Sequence, residues 1–433
     1  MMRSSGLPPR RAALRVLSQV RQGRPFDAAL DRAVNTLSAP DRRLAHELAA
    51  GVLRRRSALD AQLAPLVTRA WDGVVPDLQD ILRLGAYQLT ALQRVPPHAA
   101  VDTSVALAKK IAGARGASFV NAVLRRLAQT AQAETLHGNA TTGELAARHS
   151  HPEWLVARWI EAFGEQQTED LLRWNNSRPK LVAQSARLEL DRLADLWRAA
   201  GVEFVLAPHG AGLVAKSSRP TELPGYVEGY FIVQDPAQAL LARFVAPPPG
   251  STIYDACAAP GGKTIALGRS ARVLAGEINR HRARRLATNV ARAGQGREHV
   301  VVADARKPPV RSVDIVLLDV PCLGTGTFAR HPDARWRVAP DALDHITELQ
   351  RTLLESTAPI VAGGGLLIYS TCSLEREENH VQVERFLQRH PEFHREPAGG
   401  VPESMMSADG DLVILPQTHA MDGAYAARLR RSA

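Results

Sequence analysis

From residue 252 onward, short apolar runs alternate with helical stretches, and that alternation limits the fold more than any other feature of the chain. Strand candidates fall at residues 252–254, 273–275, 300–302, 315–318 and 366–369. Helical patterns lie between them at residues 265–269, 280–293 and 343–361. Strand and helix in regular succession mean an α/β fold, a doubly wound parallel sheet with helices on both faces. Such a sheet binds its ligands at the carboxyl ends of the strands. Function is therefore to be sought in the turns that follow them.

The first turn reads Asp255-Ala256-Cys257-Ala258-Ala259-Pro260-Gly261-Gly262-Lys263-Thr264. Its Gly-Lys-Thr invites comparison with a nucleotide triphosphate loop. That motif needs a glycine five residues earlier, where this chain has Cys257, so the phosphate cradle is broken. Each later strand leads instead into an acid: Glu277, Asp304 and Asp319. A row of carboxylates disfavours a pyrophosphate and suits a ribose diol, an adenine amine and a sulfonium cation. S-adenosylmethionine presents all three. One acid at a strand end is common; their recurrence on successive strands carries the weight.

Two of the three cysteines close apolar runs, in Asp319-Val320-Pro321-Cys322 and Ser370-Thr371-Cys372-Ser373. An isolated cysteine is usually a small buried apolar residue. Two of them on strand-end turns, beside an alkylating cofactor, have a chemical use. Carbon-5 of cytosine is not nucleophilic, but a thiolate adding to carbon-6 makes an enamine that takes a methyl group. A second group must then help to remove the carbon-5 proton and expel the thiolate. The base must be out of its stack to be reached.

The front of the chain reads differently. Residues 10–129 look like helix after helix, with Leu44, Leu48, Val52 and Leu59 on one face and Leu78, Ile81, Leu82 and Leu89 on the next. Asp41 is the expected cap, and Pro40, Pro76 and Pro96-Pro97 punctuate. The clusters Arg54-Arg55-Arg56, Lys109-Lys110 and Arg125-Arg126, with a net charge of +10 over 433 residues, favour a polyanionic partner such as RNA. Only six of the 54 basic residues are Lys, a skew that a GC-rich genome also produces. The polar stretch 129–139 reads as a linker, and His149-Ser150-His151 as a second loop before Pro152. Residues 152–241 mix helical patterns (154–163, 188–200) with strand candidates (204–207, 230–233), a small α/β adaptor. Its aromatics Trp154, Trp159, Trp174, Tyr226 and Tyr230 are expected in packing rather than in base stacking.

Composition excludes other classes. No apolar run approaches the ~18 residues of a membrane-crossing helix. Three widely spaced cysteines make neither a disulfide framework nor a Cys-x-x-Cys zinc site. A cytoplasmic protein with no metal and no membrane partner is expected.

These strings resemble the bacterial 16S rRNA cytosine-C5 methyltransferases of the Fmu/Sun type, within the wider NOL1/NOP2/Sun RNA methyltransferase family. The turn from Asp255 to Thr264 is similar to that family's cofactor loop. Asp319-Val320-Pro321-Cys322-Leu323-Gly324-Thr325-Gly326, followed by Arg330-His331-Pro332-Asp333, is similar to its fourth motif. Tyr369-Ser370-Thr371-Cys372-Ser373 with Glu377-Glu378-Asn379 is similar to its sixth. Gln234-Asp235-Pro236 and Asp422-Gly423 resemble flanking elements. Val95-Pro96-Pro97 and Phe119-Val120-Asn121-Ala122-Val123-Leu124-Arg125 resemble a NusB-like RNA-binding domain.

The resemblance implies an all-helical NusB-like domain (residues 1–130), the α/β adaptor (140–235) and a Rossmann-like, S-adenosylmethionine-dependent methyltransferase domain (236–433). It implies that Cys257, Ala258, Ala259, Pro260, Gly261, Gly262, Lys263, Glu277, Asp304 and Asp319 hold S-adenosylmethionine. It makes Cys372 the nucleophile and Cys322 the residue that assists release, with Asp319 and Lys263 orienting the flipped cytosine. The implied partner is 16S ribosomal RNA, met by a monomer. Two rivals stay open: an RNA-binding assembly or antitermination factor with a relic sheet, and a methyltransferase acting on tRNA.

Overall fold

The structure is a computed structural model that describes residues 6–68, 70–130, 141–216 and 219–433. The linker expected at residues 129–139 lies outside the described residues from 131 on. The chain divides into two units: Met1–Ser177 with Phe328–Val338, and Arg178–Thr327 with Ala339–Ala433.

The first unit is helical: α1 (Leu7–Arg21), α2 (Phe26–Val34), α3 (Ala39–Arg54), α4 (Arg56–Leu63), α5 (Pro76–Ala91), α6 (Pro97–Thr130), α7 (Thr142–His149), α8 (Glu153–Phe163) and α9 (Glu165–Asn175). Pro40 and Pro76 sit in first turns, where a missing N–H costs nothing. Ser38, not Asp41, caps α3, because its hydroxyl accepts the Asp41 N–H at 3.4 Å. Asp41 lies inside the first turn, where its charge complements the helix dipole. The apolar face expected from Leu44 to Leu59 crosses a break at Arg55 (φ −118°), so Leu59 belongs to α4. Leu48, Val52 and Leu59 nonetheless meet in one core with Leu63, Ile81, Leu82 and Leu124.

Helical geometry also dismantles one basic cluster. Arg54 ends α3, Arg55 is the break and Arg56 opens α4, so the three side chains leave the backbone in different directions. Arg54 is buried and donates to the Ala329 carbonyl at 3.0 Å, and Arg56 lies over the Trp336 ring at 5.3 Å. Of this cluster only Arg55 is exposed, whereas Lys109, Lys110, Arg125 and Arg126 all are. Of His149-Ser150-His151, His149 ends α7, whereas Ser150, in the left-handed conformation (φ 57°), and the buried His151 form the short connection to α8.

Phe328–Val338, which includes Arg330-His331-Pro332-Asp333, packs within this unit. Asp333 accepts the Phe26 N–H at 3.1 Å, and the Trp336 indole donates to Leu53 O at 2.8 Å. Arg335, fully buried, donates to Asn176 Oδ1 and Asn175 O at 2.7 Å each. Burial pulls its guanidinium down to about 9.

The second unit holds two sheets. β1 (Leu181–Ser185), β2 (Phe204–Leu206), β3 (Leu213–Ala215) and β4 (Phe231–Val233) form an antiparallel sheet in the order β2-β3-β1-β4. Trp197 of α10 (Leu190–Ala199) packs on it, edge-on to Phe204 and Phe231. Tyr226 is taken up by packing, its ring under the Arg292 guanidinium at 4.2 Å. β2 and β4 fall on the strand candidates 204–207 and 230–233, whereas β1 and β3 are not among them.

The large sheet comprises β5 (Thr252–Asp255), β6 (Arg272–Gly276), β7 (Glu298–Val301), β8 (Val313–Asp319), β9 (Val361–Thr371), β10 (Phe393–Arg395), β11 (Leu412–Ile414) and β12 (Ala424–Arg431). Its order is β10-β12-β9-β8-β5-β6-β7, with β11 beside β12. β5 to β9 are parallel, as the alternation requires; β10, β11 and β12 are antiparallel, so the whole is mixed. The helices are α11 (Pro236–Val245), α12 (Gly262–Leu267), α13 (Arg280–Ala293), α14 (Pro340–Thr357), α15 (His380–Arg389) and α16 (Pro416–His419). α14 stops short of residue 361 because Val361 pairs with Val313 instead. Alternate residues fill two cores: Ile253, Ile315, Leu317 and Ile368 on one face, Tyr254, Val316, Leu318 and Tyr369 on the other. The chain winds outward from β5 to β7, then returns to β8 on the other side of β5. That reversal opens a crevice at the carboxyl ends of β5 and β8.

Candidate active site

The residues that the sequence assigns to the cofactor and to the thiol chemistry lie in the second unit, on the carboxyl edge of the parallel strands. β5 ends at Asp255, which pairs with Ala275 of β6 and Leu317 of β8. Glu277 follows β6, Asp304 follows β7, and Asp319 ends β8 opposite Ser370 of β9.

The turn between β5 and α12 is built for close approach. Gly261 has φ 106°, a conformation that disfavours any side chain, and a Cβ there would meet Leu286 Cδ1 at 2.7 Å. Ala258 N–H bonds Gly276 O at 2.9 Å, which ties the turn to β6. At the start of α12, Lys263 Nζ reaches Asp319 Oδ2 at 2.7 Å, and Ser370 Oγ donates to Asp319 Oδ1 at 3.0 Å. Burial opposes the lysine's charge, but Asp319 outweighs it and raises its pKa.

The carboxylates are not bare. Glu277 accepts from the Asn279 N–H at 2.8 Å and from Arg282 Nη2 at 2.9 Å. Asp304 is gripped by Arg306 through Nε at 3.0 Å and Nη2 at 2.7 Å, which lowers its pKa. With Lys263 on Asp319, every acid that the sequence singled out has a cation beside it. Repulsion of phosphate by net negative charge is therefore weaker than the sequence suggests. What selects a ligand is the acceptors that remain. Asp255, which the sequence pattern does not mark as a site residue, is fully buried; Thr264 Oγ1 donates to its Oδ2 at 2.6 Å, while Oδ1 has no partner among the described residues. Burial pushes its carboxyl up to about 7. Gln234 Oε1 is likewise buried and unpartnered, and its amide lies 2.6 Å from where a Cβ on Gly262 would stand. Orphan acceptors around a glycine turn fit a ligand rich in donors, as S-adenosylmethionine is with its ammonium, adenine amine and ribose hydroxyls.

The three cysteines are all free and differ in kind. Burial, then the carboxylates of Asp319, Asp255 and Glu277, push the Cys257 thiol up to about 12, so it stays protonated and unreactive. Cys322 and Cys372 stand together with Sγ atoms 3.1 Å apart, and the Cys372 N–H points at Cys322 Sγ at 3.4 Å. Sharing a hydrogen with Cys372, then burial, raise the Cys322 thiol well above its ordinary value. The turn carrying Cys322 is pressed close: Gly326 N–H bonds Cys372 O at 3.0 Å, and a Cβ on Gly326 would meet Gly423 Cα at 2.7 Å. That close approach explains Asp422-Gly423. Asp235, the N-cap of α11, also accepts the Asp422 N–H at 3.0 Å, so both flanking elements brace the turn.

Residues 242–430 match the 16S rRNA methyltransferase RsmB/F family. A protein of Synechocystis sp. named probable ribosomal RNA small subunit methyltransferase B is 38% identical over 430 residues, which cover 94% of this chain and 95% of that one. The chain belongs to the RsmB/F family of rRNA methyltransferases. The ribosomal RNA small subunit methyltransferase B of Sodalis glossinidius is 34% identical, with 96% of each chain covered. Two further matches precede that segment: residues 7–129 match the NusB family, and residues 151–218 the ferredoxin-like domain of RsmF/B-like methyltransferases. The crystal structure of PH0851 superposes with a TM-score of 0.81 at 25% identity, covering 97% of this chain and 98% of that one.

Proposed function

We propose that this RsmB/F protein methylates carbon-5 of a cytosine in 16S rRNA through a covalent cysteine–cytosine adduct. The observation that carries this reading is the pair of thiols, 3.1 Å apart at the ends of neighbouring parallel strands, beside the Lys263–Asp319 ion pair. Bound S-adenosylmethionine supplies the methyl group. Cys257, Ala258, Ala259, Pro260, Gly261, Gly262, Lys263, Glu277, Asp304 and Asp319 would hold it, with Asp255 added as an acceptor. Lys263 and Asp319 also orient the flipped base.

The proton balance follows from the thiol pair. Cys372 gives up its proton to water as it becomes the attacking thiolate, while the neighbouring Cys322 thiol, held well above its ordinary value, keeps its own. Cys372 adds to carbon-6, and the electron pair passes to carbon-5, which takes the methyl group. Once Cys372 is bonded to carbon it no longer shares a hydrogen with Cys322, and Cys322 passes its own proton to water. Its thiolate then removes the carbon-5 proton; the carbon–sulfur bond breaks and Cys372 returns as thiolate. Removing the attacker prevents the adduct, whereas removing the base lets it accumulate. Cys372→Ala is expected to be inactive and free of adduct. Cys322→Ala is expected to give a denaturation-resistant protein–RNA complex when S-adenosylmethionine is present. Trapping in the Cys372 variant would reverse the two roles, and bisulfite sequencing that finds no 5-methylcytosine in the product RNA would end the proposal.

A further inference from the structure

We propose that Glu378 is a positioning residue, whose single carboxylate ties the turn carrying Cys322 to the turn carrying Cys372 and so sets the distance between the thiols. This rests on the roles given to the thiols above.

The sheet does not itself hold the two sulfurs together. The β8–β9 ladder ends where Asp319 faces Ser370 and Val320 N–H bonds Ser370 O at 2.9 Å. Both cysteines lie beyond that point. Glu378, fully buried between β9 and α15, reaches both turns. Its Oε2 accepts the N–H of Leu323, the residue after Cys322, at 3.0 Å. The same oxygen accepts Gln350 Nε2 at 2.8 Å, and that amide also donates to the carbonyl of Pro321, the residue before Cys322, at 2.9 Å. The other oxygen, Oε1, accepts the hydroxyl of Ser373, the residue after Cys372. Peptide groups on both sides of Cys322 and the side chain next to Cys372 thus converge on one carboxylate, directly or through Gln350. The backbone of Glu378 is anchored in turn to β9: Tyr369 Oη donates to its carbonyl at 2.6 Å, and Thr371 Oγ1 donates to Asn379 Oδ1 at 2.6 Å.

The Leu323 N–H, the Gln350 amide and the Ser373 hydroxyl all end on the two carboxylate oxygens. A glutamine could hold the same three groups, because a serine hydroxyl accepts as well as donates and would take the glutamine NH₂. Glu378→Leu keeps most of the volume and removes both ties.

The test uses the full-length chain and two readouts. One is turnover on rRNA, with kcat and KM separated. The other is the rate at which diamide, by taking up the two thiol hydrogens, joins Cys322 to Cys372, followed by peptide mass spectrometry. For Glu378→Leu the expected result is a kcat lower by on the order of 100-fold, from a misplacement of about 1 Å. KM and calorimetric affinity for S-adenosylmethionine should be unchanged, because Glu378 touches no cofactor turn. Cross-linking should slow by on the order of tenfold, since disulfide geometry is narrow. Glu378→Asp, which restores the charge, should recover part of both. If Glu378→Leu does not fold, Gln350→Ala severs only the link to Pro321 and should lower both rates by a smaller factor. Unchanged cross-linking in a folded variant overturns the proposal, whatever happens to turnover. Slower cross-linking with full turnover upholds the positioning role and instead sinks the assignment of the thiols to catalysis.

Discussion

Asp319→Asn puts a number on the central ion pair. Lys263 and Asp319 meet at 2.7 Å, with side chains 12% and 30% accessible. At an effective dielectric near 20, their attraction is on the order of 6 kcal/mol, most of which offsets the cost of taking the two charges out of water. Asparagine preserves shape but leaves the lysine charge without its main partner. Removing one member of a buried pair costs about 3–5 kcal/mol, and the partial exposure of Asp319 argues for the lower end. In a unit of this size that is about 6–12 °C in the unfolding midpoint at neutral pH.

The pH dependence gives the sharper reading. In the native protein the Lys263 pKa is raised, so its contribution is full below the unfolded lysine value of about 10.4 and is lost only as pH climbs through the higher folded value. In Asp319→Asn burial dominates, the folded pKa falls below the unfolded one, and stability rises with pH between the two. The gap between native and variant midpoints should therefore narrow steadily from pH 7 to pH 10, followed by circular dichroism at low salt. Asp255 also favours the Lys263 charge. If it takes over the pairing, the gap will be under ~2 °C and flat with pH, and the reasoning fails.

Two other outcomes follow from the geometry. Glu277→Ala should weaken S-adenosylmethionine binding by on the order of 1–3 kcal/mol in calorimetry, the range for charge-assisted hydrogen bonds; unchanged affinity would remove Glu277 from the pocket. Lys109→Ala/Lys110→Ala should reduce the salt dependence of RNA binding by about one unit of slope for each phosphate no longer neutralised. Arg54→Ala should leave that slope alone and instead lower the unfolding midpoint, since it strands the Ala329 carbonyl at a cost of about 1–3 kcal/mol. A slope that falls with Arg54 would contradict its buried placement.

Local pattern was enough for the parallel half of the large sheet, because strands buried on both faces must read as apolar runs and the turns after them must carry the polar residues. Glu277, Asp304, Asp319, Cys322 and Cys372 were visible for that reason: each follows or ends such a run. Three things were not legible there. The antiparallel β10, β11 and β12 are recognised by pairing: β12 lies against β9, and β10 and β11 against β12, which joins residues far apart in the chain. The segment from Phe328 to Val338 reads as part of the catalytic motif, yet it packs among α1 to α9, because Trp336 and Arg335 find their partners at Leu53, Asn175 and Asn176. The charge state of the site was also hidden. A row of acids cannot say that Arg282, Arg306 and Lys263 fold back onto three of them, or that Asp255 keeps an oxygen free. Periodicity and turn chemistry act over a few residues and are written in the sequence; which donor meets which acceptor is decided only when the strands are brought side by side.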